Sequence, residues 1–100
     1  MPEMTFSVRW PDGRVEDCYS PSLVMHDHLT AGATYTVGDL VARSTEALAI
    51  ASDRVRAKFG FACTSAAATT EQLHRSASAF RSEDLVEVVR MWPPLPQEHA

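Results

Sequence analysis

Between Met4 and Trp10 the chain alternates apolar and polar side chains without a fault: Met4, Phe6, Val8 and Trp10 on one side, Thr5, Ser7 and Arg9 on the other. A period of two marks a strand buried on one face. Pro11-Asp12-Gly13 breaks the pattern, and a second strand over 14–19 completes a hairpin. Two registers are open. A two-residue Asp12-Gly13 loop makes Pro11 a closing ladder residue, although proline has no N–H to donate. It sets Trp10 against Val15 and Phe6 against Tyr19, the more apolar pairing. A type I turn with Pro11 and Asp12 at its centre and Gly13 left-handed is preferred here. It is closed by Trp10 and Arg14, and it puts Cys18 opposite Phe6, facing the core.

Ser20-Pro21 resembles an N-cap followed by proline in the first turn, which predicts a short helix over 21–29 that Ala31-Gly32 ends. Thr36-Val37-Gly38-Asp39 is a capping-box variant, with Tyr35 placed to staple onto Leu40. It opens a long helix over 37–59 whose apolar stripe is Leu40, Val41, Leu48, Ala51, Val55 and Phe59. Asp39 can pair with Arg43 one turn on. Gly60 supplies the left-handed stop, and Arg54, Arg56 and Lys58 complement the negative end of the helix dipole. Small residues follow Cys63 until Thr69-Thr70-Glu71-Gln72 gives a second cap signal, predicting a helix to about Phe80. A last strand spans 85–91. The expected fold is α+β with two layers: a three-stranded mixed sheet in the order β-β-α-α-β, with one long and one shorter helix on one face. The last strand, if it pairs beside the first, runs parallel to it. Residues 1–92 form one domain, and 93–100 an extended or disordered tail.

Composition narrows the function classes. With 100 residues and 45% hydrophobic side chains, a single core needs no metal or disulfide staple. A net charge of −4 argues against nucleic acid. No stretch suits a bilayer, and Met1 to Phe6 is no signal peptide, so a cytoplasmic protein with two free thiols is expected.

Chemistry is sparse: there is no catalytic triad, phosphate-binding glycine loop or four-ligand metal pattern. Cys63 follows the basic end of the long helix, where backbone N–H groups and cations lower a thiol pKa, so it is the candidate nucleophile or soft ligand. The competing interpretation is a small apolar residue where two helices meet. Cys18 is expected in the core. His26 and His28 resemble a metal pair but diverge on a helix, and two ligands do not make a site. The candidate binding set is Cys18, Tyr19, Ser20, Arg54, Arg56 and Cys63, with no cofactor and no assigned metal. Alanines such as Ala42, Ala47, Ala49, Ala51 and Ala57 on the long helix, together with open sheet edges, suggest a homodimer.

Three segments in combination, Arg9-Trp10-Pro11-Asp12-Gly13, Cys18-Tyr19-Ser20-Pro21-Ser22 and the run from Ala51 to Cys63, resemble the bacterial nitrogen-starvation response proteins. The likeness extends from Met4 to about Arg90. It implies genes set beside a nitrilase-type carbon–nitrogen hydrolase, a radical-SAM protein and an acetyltransferase-like protein, hence a pathway and not a reaction. It carries over no catalytic residues. The resulting expectation is a non-enzymatic accessory or regulatory protein of nitrile or cyanide nitrogen assimilation, binding a cluster protein or a small ligand. The alternatives are a thiol-dependent enzyme or carrier using Cys63, and a Cys/His metal-binding protein.

Overall fold

In the computed structural model, which describes residues 3–60 and 64–93, the alternation at the start of the chain becomes β1 (Met4–Arg9). It pairs antiparallel with β2 (Val15–Ser20), with Phe6 opposite Cys18 and Val8 opposite Glu16. The turn closes as the missing proline N–H requires: the Trp10 N–H donates to the Arg14 carbonyl at 2.9 Å and the Gly13 N–H to the Trp10 carbonyl at 2.8 Å. Gly13 has a φ of 91°, open to glycine at little cost.

The sheet has four strands, not three, and every pairing is antiparallel, in the order β2-β1-β4-β3. The added strand is β3 (Thr34–Thr36), immediately before helix α1 (Val37–Phe59). Three residues are too few to show a period of two, so the sequence pattern hides it. Its effect on topology is large, because it reverses the chain once more before the helices. The last strand, β4 (Leu85–Trp92), therefore runs antiparallel to β1 and not parallel to it.

Helix α1 has the predicted bounds. The Thr36 hydroxyl accepts from the Asp39 N–H at 3.1 Å, Arg43 pairs with Asp39 at 2.9 Å, and Gly60 ends the helix at φ 80°. Of its expected stripe, Leu40, Leu48, Ala51 and Val55 are buried, whereas Phe59 is exposed. Helix α2 (Thr64–Ala77) begins before its predicted cap and ends before Phe80. Ala66, Ala67 and Ala68 are helical, as the best helix formers should be. Thr69 and Thr70 lie inside the helix, where their hydroxyls donate to the Ser65 and Ala66 carbonyls. The short helix after β2 is a single 3-10 stretch, Leu23–Asp27. Its cap is Ser22, whose hydroxyl accepts from the Val24 N–H, and not Ser20.

Both helices cover one sheet face. Met4, Phe6, Val8, Trp10, Cys18, Val86, Val88 and Met91 meet Leu40, Ala47, Leu48, Ala51, Ala66 and Leu73 in one buried cluster. Ala47 and Ala51 are thus spent on this core and are not free for self-association. Burying a side chain such as Phe6 contributes about 2 kcal/mol. Trp10 stacks on Phe80 with ring centroids 5.8 Å apart. Among the described residues, no helix lies on the opposite sheet face.

Candidate functional site

Strand alternation distributes the candidate residues of β2 between the two faces. Cys18 and Ser20 point to the helices and are buried, while Tyr19 points to the open face. Cys18 cannot act as a thiolate near neutral pH. Burial, followed by the charges of Glu16 and Asp17, pushes its thiol up to about 12. Ser20 is a turn residue: its hydroxyl donates to the Ser22 carbonyl at 2.8 Å and accepts from the Ser22 N–H. Arg54 is exposed and reaches the Ser22 hydroxyl at 3.5 Å. Arg56 is exposed on α1. Cys63, the candidate nucleophile, lies outside the described residues. Of the described candidates, Cys18 and Tyr19 lie on opposite faces of β2, while Ser20 and Arg54 both reach Ser22.

His26 and His28 are separate ties. The His26 Nε2 lies 3.0 Å from the Pro93 carbonyl, and the His28 Nδ1 lies 3.3 Å from the Val24 carbonyl. Among the described residues, no group of three His, Cys, Asp or Glu side chains is placed to hold a metal ion.

The polar centre of the helix-covered face is Glu16, which was not singled out from sequence. The Trp10 Nε1–H donates to it at 2.9 Å, the Ser76 hydroxyl at 2.6 Å and the Gln72 amide at 2.6 Å. The Gln72 amide also donates to the Asp17 carbonyl at 3.0 Å and lies 3.8 Å from the Cys18 sulfur. Burial pushes the Glu16 carboxyl up, but the hydrogen bonds from Ser76, Gln72 and Trp10 and the Arg14 charge outweigh it and hold the carboxyl below its ordinary range. An ionised carboxylate saturated with donors is a poor general base. Here it joins β2 to α2. The signal was available, because the preferred hairpin register already sets Glu16 opposite Val8 on the core side.

The open face has a different character. The register arranges it in rows across β2, β1 and β4: Tyr19, Thr5 and Trp92 in one, Asp17, Ser7 and Arg90 in the next, Val15, Arg9 and Glu87 in a third. Trp92 is 57% exposed and Tyr19 36%. The Arg90 guanidinium lies over the Trp92 ring at 5.2 Å, the Ser7 hydroxyl donates to Asp17 at 2.5 Å, and Arg9 pairs with Glu87 at 3.0 Å. A shallow cavity of about 220 Å³ lies among Thr5, Ser7, Asp17, Arg90 and Trp92.

The family model described as nitrogen starvation-induced protein NitG matches residues 5–91. The chain belongs to this family. The NitG match runs from Thr5 in β1 to Met91 in β4, so it takes in β2, β3 and both α-helices whole, with the Glu16 centre inside it and Trp92 of the open face just beyond its end. Comparison with curated proteins returns no match, and neither does comparison with solved structures. Among the described residues, no helix is long and apolar enough to cross a membrane.

Proposed function

We propose that this NitG-family protein serves the response to nitrogen starvation as a non-enzymatic accessory protein in the cytoplasm. Its partner is the carbon–nitrogen hydrolase of a nitrilase-type gene cluster, the context that the sequence resemblance implies. The observation that supports the proposal is the commitment of Cys18 and Glu16 to structure. The Cys18 thiol is buried and pushed up to about 12, and the Glu16 carboxylate is taken by three side-chain donors. A buried neutral thiol is inert, and a carboxylate saturated with donors rigidifies the scaffold, which favours a structural role for both groups.

The test joins two measurements. Tagged chain is first mixed with the purified hydrolase, and saturable retention is expected. Alkylation of the folded chain at neutral pH is then followed at Cys18 and Cys63 separately by peptide mass spectrometry. Slow reaction at both thiols supports the accessory role. Failure to retain the hydrolase refutes it, and fast, selective reaction at Cys63 moves the function to thiol chemistry.

A further inference from the structure

The open sheet face unites aromatic surface with opposite charges in a fixed order. Among the described residues, every exposed large apolar side chain except Phe59 lies on β2 or β4: Val15, Tyr19, Leu85, Val89 and Trp92. Register places Val15, Tyr19, Leu85 and Trp92 on the face that no described helix covers, where the Tyr19 hydroxyl donates to Glu3 at 2.8 Å, with Asp17 on one side of Ser7 and Arg90 on the other. Antiparallel sheets cover such a face by stacking on a second sheet about 10 Å away.

We propose that two copies of this chain pack sheet to sheet through this face, about a two-fold axis that runs along β1. Charge order decides the direction of the axis. A two-fold along the strands keeps each row facing the same row and exchanges β2 with β4. Asp17 then faces Arg90 of the second copy, and Tyr19 faces its Trp92. A two-fold across the strands through the Ser7 row sets Asp17 on Asp17 and Arg90 on Arg90, which like-charge repulsion disfavours. Arg9 meets its own copy near the axis with its charge already paired to Glu87. The stacking angle of about 30° between sheets leaves the central Ser7 row in register. The patch spans three strands about 4.8 Å apart and six residues of about 3.4 Å each. A patch of about 14 by 20 Å, covered on both copies, removes roughly 600 Å² of projected area, below the range of stable interfaces, so a weak dimer that forms only at high protein concentration is expected.

The dimer is a property separate from hydrolase binding, and it is tested on the isolated chain by sedimentation velocity over a concentration series. Wild type should pass from monomer to dimer. Asp17→Arg and Arg90→Asp should each raise the dissociation constant about tenfold or more, while the double swap restores it to near wild type. Geometry is tested separately: in a Cys63→Ser background, Thr5→Cys lies near the axis and should be joined to its copy by a short bismaleimide. Thr34→Cys, at the far edge on β3, should not. Near-UV circular dichroism confirms that each variant is folded. A chain that stays monomeric throughout the series overturns the proposal, including one whose Trp92 is nevertheless shielded by its own tail. So does a dimer indifferent to all three charge variants, or one joined at Thr34 but not at Thr5.

Discussion

Replacing Glu16 by alanine removes the acceptor shared by Trp10, Ser76 and Gln72. The consequences differ by donor. Trp10 is only 1% exposed, so its indole N–H finds no water once the carboxylate is gone, and leaving it unpaired costs about 1–3 kcal/mol. Ser76 and Gln72 are half-buried and can turn to solvent, losing about 0.5 kcal/mol each. The Arg14 contact, at 3.8 Å with an exposed guanidinium, adds little. Relief from burying a charge offsets part of this, leaving a net loss of about 2 kcal/mol. For a domain of this size that lowers Tm by roughly 8–16 °C. A double-mutant cycle in urea isolates the cause. Trp10→Phe removes the N–H while keeping an aromatic ring, so Glu16→Ala should cost about 1–2 kcal/mol less in that background. Strict additivity, or a single-mutant loss below about 0.5 kcal/mol, would show that Glu16 is not the post that joins β2 to α2. The acid limb gives a second readout. The folded carboxyl is depressed, so its contribution is present above the unfolded pKa, near 4.5, and is lost as pH falls through the folded value. Glu16→Ala should flatten that limb.

Cys18 makes the opposite prediction at alkaline pH. Its folded pKa is raised from 9.0 to about 12, so its contribution is complete below pH 9 and lost as pH climbs towards 12. Urea unfolding across that window should show wild type losing up to about 1.4 kcal/mol per pH unit more than Cys18→Ala. Equal slopes would place the thiol in water. On α2, Thr69→Val removes the hydroxyl that donates to the Tyr19 carbonyl at 2.8 Å and should cost about 1 kcal/mol, whereas Thr70→Val, bonded only within its own helix, should be near neutral. Thermal melts that rank the two the other way round would contradict the placement of Thr69 on the β2 seam.

The hairpin was legible because proline lacks a donor. That one chemical fact set the Trp10–Arg14 closure, and through it the inward aim of Cys18. The long helix was legible because cap, stripe and glycine stop agreed. What escaped were features without a period or with two meanings. Thr34–Thr36 is too short to alternate, yet it reverses the direction of everything after it. Threonine beside glutamate signals a helix start equally well when its hydroxyl bonds back to the carbonyl four residues earlier, as Thr69 and Thr70 do. At the site level, a carboxylate facing the core was implied by the register, but its importance depends on Gln72 and Ser76, which reach it only after α2 is set on β2. The open-face rows likewise needed the β1–β4 register, because Arg90 and Trp92 are distant in sequence from Asp17 and Tyr19.

The accessory role is tested most directly by calorimetric titration of the purified nitrilase-type hydrolase with wild type and with the Cys18→Ala/Cys63→Ser double variant. Saturable binding with the same affinity for both chains is the predicted result. No binding by either chain, or binding that disappears with the thiols, would contradict it.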